Sequence, residues 1–125
     1  MIEAKSQAEI AIMHESGRRL SGVMKLLYEA VRPGVSTLEL DRIAENEIRK
    51  LGGVPSFKGL YGFPASICAS INEVIVHGIP GKKTKLKEGD IIGIDIGMCY
   101  NGFHSDMART FAVGTISDED QRLID

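Results

Sequence analysis

Scarcities in the chain narrow its reading first. Its two cysteines, Cys68 and Cys99, form no CxxC pair and no cysteine–histidine zinc spacing, which excludes a disulfide-built scaffold and a zinc finger. One disulfide between them stays open; free thiols in a reducing compartment are the expectation. No stretch approaches the roughly 18 consecutive apolar residues of a membrane span. Nor is there an excess of one charge: 15 basic against 17 acidic residues leave a formal −2. That balance gives no reason to expect nucleic acid or an acidic membrane surface as the main partner. Internal repeats and low-complexity tracts are absent. Met1-Ile2-Glu3-Ala4-Lys5 lacks the basic-then-apolar layout of a secretory signal, so a cytoplasmic protein is expected. At 125 residues, 43% hydrophobic and 26% charged, the chain reads as one small globular domain.

The first half is patterned as helix. Ser6 with Glu9 is a capping box, which predicts a helix beginning near Gln7. Ile10, Met13, Gly17, Leu20, Met24, Leu27 and Val31 then recur at steps of three and four, up to the break at Pro33-Gly34. Gly17 interrupts the stripe, so a long helix laid on a sheet is a better reading than a coiled coil. Its methionines read as core filling, and His14, just off the stripe, as a surface or boundary residue. A second capping box, Ser36 with Glu39, opens another helix with Leu40, Ile43, Ala44, Ile48 and Leu51 inward. Gly52-Gly53 supplies its stop.

From Val54 the pattern changes to strands and loops. Residues 57–64 are glycine-rich and aromatic, a loop with something to present. Ser66 to Ser70 reads as a short strand. His77, before a glycine and near Pro80, belongs at a strand end or in a loop; taken alone, such a histidine reads as structural. Lys82, Lys83, Lys85 and Lys87 read as a solvated loop, because no aromatic residues interleave them for stacking on single-stranded nucleic acid. Ser117 and Asp120 start a last helix that stops after barely two turns, which suggests a longer parent protein.

The residues that carry chemistry lie on a hairpin. Asn101-Gly102 between two apolar runs is a strong signal for a two-residue type I′ turn. With that turn, Tyr100 faces Phe103, Gly97 faces Asp106 and Asp95 faces Ala108. Side chains alternate along a strand, so Ile92, Ile94, Ile96 and Met98 line one face. Gly93, Asp95 and Gly97 line the other, joined there by His104, Asp106, Ala108 and Thr110. Asp95 and Asp106 are diagonal neighbours, their Cβ atoms roughly 7 Å apart or somewhat less. Two acids so placed repel unless a cation lies between them, and divalent ions about 3.5–4 Å apart would fit. An ordinary wet sheet face with two acids is the competing reading, and geometry alone leaves both open.

The order of these segments resembles a known family. Ser70-Ile71-Asn72-Glu73-Val74-Ile75-Val76-His77-Gly78-Ile79-Pro80, residues 89–97 and Asn101-Gly102-Phe103-His104-Ser105-Asp106 resemble type I methionine aminopeptidases. So do the amino-terminal helices and the joining turn Arg32-Pro33-Gly34-Val35-Ser36-Thr37. Essentially the whole chain is covered, but only about the first half of such an enzyme. The resemblance implies an α/β pita-bread fold, of which residues 1–125 are the amino-terminal half: two helices packed on an antiparallel sheet.

Within that family, Asp95 is expected to bind one divalent ion and Asp106 to bridge two, with cobalt, iron, manganese and zinc all candidates. His77 matches the histidine that contacts the scissile peptide, and Phe63 and Cys68 match positions lining the methionine pocket. Leu60 falls at a further pocket position, and Asn72 and Val74 at a loop that holds a monovalent cation in some members. His104 and the lysine run receive no role. The implied reaction is metal-assisted removal of the initiator methionine from nascent polypeptides, near the ribosome, with no direct nucleic-acid or membrane contact. The family's remaining ligands, a histidine and two glutamates, belong to its second half, so this chain alone is expected to be inactive. Xaa-Pro peptidases, which share the fold and the paired aspartates, and a non-catalytic pita-bread binding module are the alternatives.

Overall fold

The computed structural model describes residues 2–125. Helix α1 (Gln7–Ala30) starts where the first capping box requires: Ser6 Oγ accepts from Glu9 N–H, and the Glu9 carboxylate accepts from Ser6 N–H. Helix α2 (Thr37–Lys50) repeats the device with Ser36 and Glu39. Gly52 and Gly53 close it, donating to the carbonyls of Arg49 and Ile48. Strands β1 (Val54–Pro55), β2 (Ile67–Ile71), β3 (Ile91–Tyr100) and β4 (Phe103–Ala112) form one antiparallel sheet, with a 3-10 turn at Leu60–Gly62 and a last helix α3 (Asp118–Ile124). β2 runs one residue later than expected at both ends, and β3 runs up to the turn itself.

β3 is the spine of the sheet. β4 pairs along its whole length, while β1 and β2 share its other edge in succession. Its apolar side, Ile92, Ile94, Ile96 and Met98, is fully buried against Leu20, Val23 and Leu27 of α1 and Leu40, Ala44 and Ile48 of α2. Both helices therefore cover one face of the sheet and leave the other open. The α1 stripe is buried only from Ser16 onward; Ile10 and Met13 are exposed, as is His14. Ser16, itself fully buried, spends its hydroxyl on Ser105 of β4 at 2.7 Å, tying the helix to the hairpin. Lys82, Lys83, Lys85 and Lys87 are exposed, and α3 buries none of its residues. No helix among the described residues is long and apolar enough to cross a membrane.

On α2, Glu45 lies among Lys58 at 2.7 Å, Arg49 at 2.9 Å and the Ser66 hydroxyl at 2.9 Å. Lys58 first, then Arg49, hold its carboxyl down from the usual 4.5 to about 2. A depressed carboxyl contributes stability that is present above its unfolded value and lost as pH falls through its folded one. Thermal melts followed by circular dichroism should therefore fall between pH 5 and pH 2–3, and fall less in Glu45→Gln (about these pH limits). Equal acid sensitivity in the two proteins would remove Glu45 from the account.

Candidate metal centre

The hairpin turn is built as its residues require. Asn101 and Gly102 both have positive φ, 46° and 84°, the pair of left-handed conformations that a type I′ turn needs. The register follows: Gly97 opposite Asp106, Asp95 opposite Ala108. Both acids consequently rise from the open face of the sheet and line one cavity there. Cys68 of β2 sits opposite Asp95 on the other side of the spine.

This acidic floor lies under a cavity of about 610 Å³ lined by Phe57, Leu60, Gly62, Phe63, Cys68 and His77 among others. Asp95 is half-buried, and its Oδ1 is buried without a hydrogen-bond partner. Burial, then the charge of Asp106, then the hydrogen bond between the two push the Asp95 carboxyl up from 3.8 to about 6, while nearby His77 acts in the opposite direction. Burial first, then Asp95 and Asp106, push the Cys68 thiol up to about 11. Near neutral pH it is thus an uncharged, polarizable wall atom.

An orphaned carboxylate oxygen beside a second carboxylate is the donor set of a hard or borderline divalent cation. It is also an incomplete one. Among the described residues no group of three or more His, Cys, Asp or Glu is gathered that could hold an ion alone. Asp95 and Asp106 therefore fit part of a metal centre and do not make a full ligand set by themselves.

His77 reaches the cavity on a distorted strap. Its backbone is left-handed, φ 57°, a conformation histidine tolerates better than most residues. The next residue is pinned to β2: Gly78 accepts from Ala69 N–H at 2.8 Å and donates to Ser70 Oγ at 3.1 Å. Phe63, Cys68 and Leu60 line the same cavity, so all the expected pocket residues meet the paired acids. Asn72 and Val74 do not line it. The Asn72 side chain instead donates to Asp90 at 3.0 Å and accepts from Ile91 N–H at 3.1 Å. His104 also stays outside, bonded through Nδ1 to Ser56 Oγ at 2.8 Å. Phe57, Tyr61 and Ile79 join the wall without having been singled out; only the aromatic, glycine-rich composition of residues 57–64 pointed toward the first two. Gly97 makes room for Phe57: a Cβ there would lie 2.8 Å from its ring.

Comparison with known proteins adds a family to this geometry. The profile of metallopeptidase family M24 matches residues 11–125. The chain belongs to that family. As an M24 chain it is 57% identical over 124 residues to a methionine aminopeptidase of Clostridium perfringens, covering 99% of this chain and 49% of that one. It is 52% identical over 125 residues to methionine aminopeptidase 1 of Bacillus subtilis, covering all of this chain and 50% of the relative. The M24 chain therefore spans about half the length of the curated relatives it matches. Its structure superposes on half of a methionine aminopeptidase from Rickettsia prowazekii with a TM-score of 0.96 at 34% identity, over 99% of this chain. An Xaa-Pro dipeptidase from Bacillus anthracis follows the same path less closely, TM-score 0.80 at 28% identity, over 94% of this chain and 32% of that one. The architecture is that of half a pita-bread M24 fold, two helices on an antiparallel sheet, with α3 added.

Proposed function

We propose that residues 1–125 are the amino-terminal half of a pita-bread metallopeptidase domain whose longer parent removes the initiator methionine from new proteins. The observation that carries this reading is the pair Asp95 and Asp106 on the floor of a largely apolar cavity that His77 also lines. Asp95 and Asp106 hold divalent ions, two in the complete site, whose identity among cobalt, iron, manganese and zinc these oxygens alone do not select. When bound, such ions polarise a carbonyl oxygen and make water a better nucleophile. His77 bonds the scissile peptide and orients its carbonyl. Phe63 and the neutral Cys68 hold the unbranched thioether, which is best matched by apolar and polarizable surface. A monovalent cation near Asn72 and Val74 completes the cofactor set. Partners are nascent polypeptide amino termini in the cytoplasm, close to the ribosome.

Metal-dependent release of methionine from Met-Gly-Ser tests the reading. The longer parent should turn this peptide over, whereas the 125-residue chain with added divalent metal should not. Turnover by the short chain would overturn its predicted inactivity. Cleavage confined to peptides with proline second would favour the Xaa-Pro class, and metal binding without any cleavage a binding module.

A further inference from the structure

The outer wall of the cavity is the loop 57–64, and the hydrophobic core does little to hold it. Lys58, Gly59, Leu60, Tyr61, Gly62 and Pro64 are all exposed. Its hydrogen bonds close it on itself: Gly59 N–H donates to Phe63 at 2.8 Å, Leu60 to Phe57 at 3.0 Å and Phe63 to Leu60 at 2.9 Å. A segment with few buried apolar contacts sits at the low-stability end of a fold. Phe57, half-buried over Gly97, seats its first residue, and further contacts set the rest of it over the sheet.

Two carboxylates of α2 make those contacts. Asp41 and Glu45 lie one helical turn apart and so share a side of the helix. Asp41 is 5% exposed, and its Oδ1 accepts the backbone N–H groups of Ser66 at 2.7 Å and Ile67 at 3.0 Å. Charge-assisted bonds of this kind are roughly twice as strong as neutral ones. Glu45 accepts the hydroxyl of buried Ser66 and the ammonium of Lys58, through the same carboxylate oxygen. The loop is therefore gripped at both ends, at Lys58 just after Phe57 and at Ser66-Ile67 just before Cys68.

We infer that Asp41 and Glu45 are positioning residues: they fix how far the loop stands from the acid-bearing face, and so set the width of the pocket. Neither lines the cavity. Asp41 is the permanent anchor. The Lys58 end is the adjustable one, because that side chain is 46% exposed and such pairs shift an equilibrium by only about 1.5- to 5-fold. The consequence for substrate rests on the function proposed above; the clamp itself does not.

A double-mutant cycle on the 125-residue chain separates the two. Amide exchange is followed by NMR in wild type, Glu45→Gln, Lys58→Met and the double variant; the amide in Glu45→Gln keeps the shape and the Ser66 acceptor. Each single variant should speed exchange at Gly59, Leu60 and Phe63 by about 1.5- to 5-fold more than it speeds the β3 and β4 amides, whose rates follow the change in global stability. The double variant should be no faster than either single one, since both break one contact. Unchanged loop exchange, multiplicative effects in the double variant, or a sheet accelerated as much as the loop would each overturn the clamp. In the longer enzyme the same variants should raise KM for Met-Gly-Ser and leave kcat in place; a fall in kcat alone would overturn the role in pocket width. A longer wild-type enzyme that releases no methionine would sink the proposed function, and the exchange cycle would still decide the clamp.

Discussion

Asp106→Asn should leave the metal-free fold at least as stable as before while removing metal binding and activity. After burial, the charge of Asp106 is the largest influence raising the Asp95 carboxyl to about 6. The substitution takes that charge away and brings an amide that can donate to the unpartnered Asp95 Oδ1. Asp106 itself is exposed, so the change opens no cavity in the core. Melting of the metal-free chain should therefore stay level or rise. Function should move the other way. Losing even an outer-shell partner of a metal ligand costs about 10–100-fold, so losing one of these carboxylates should cost at least about 100-fold in affinity. Calorimetric titration with manganese and methionine release by the longer enzyme measure both. Turnover within about tenfold of wild type would discredit the ligand assignment. A melting point that falls with activity would mark Asp106 as structural.

Gly78→Ala is expected to harm both stability and function, by a steric route. A Cβ at this position would lie 2.0 Å from the Ala69 carbonyl oxygen, 2.6 Å from its carbon and 3.0 Å from Ser70 Cα. All three are backbone atoms of β2, a buried strand that cannot turn aside as a flexible side chain could. The strap must lift instead, stretching the Ala69 N–H to Gly78 bond and the Gly78 N–H to Ser70 Oγ bond. Overpacking of this kind costs about 1–3 kcal/mol. His77, the preceding residue, moves with the strap, and in the role proposed for it a misplacement of about 1 Å can cost roughly 100-fold. Denaturant unfolding and kcat/KM should both register the change. Gly17→Ala is the matching comparison: nothing lies within 4 Å of its Cβ, and in mid-helix alanine should stabilise by up to about 1 kcal/mol. Wild-type behaviour in Gly78→Ala would mean the strap has slack that these distances deny.

Much of the frame was legible in the residues because its causes are local. Ser6 with Glu9 and Ser36 with Glu39 start helices through bonds that span three positions. Asn101-Gly102 sets the hairpin register through a two-residue turn, and the period of two then decides that Asp95 and Asp106 share a face. Errors gathered where local signals compete with distant packing. Ile10 and Met13 continue the apolar stripe of α1, yet they are exposed, the burial beginning only at Ser16. Nothing in their spacing carries that information.

The order of the elements, the caps, and the side of the sheet that bears the acids therefore followed from sequence, through forces acting across a few residues. Only the folded chain brought His77 to the acids, by laying Gly78 against Ala69, and set Phe57 over Gly97. Only it tied Asp41 and Glu45 to the pocket loop. Each of those contacts joins separate segments, and no periodicity along a chain encodes which distant backbone will arrive to fill a gap.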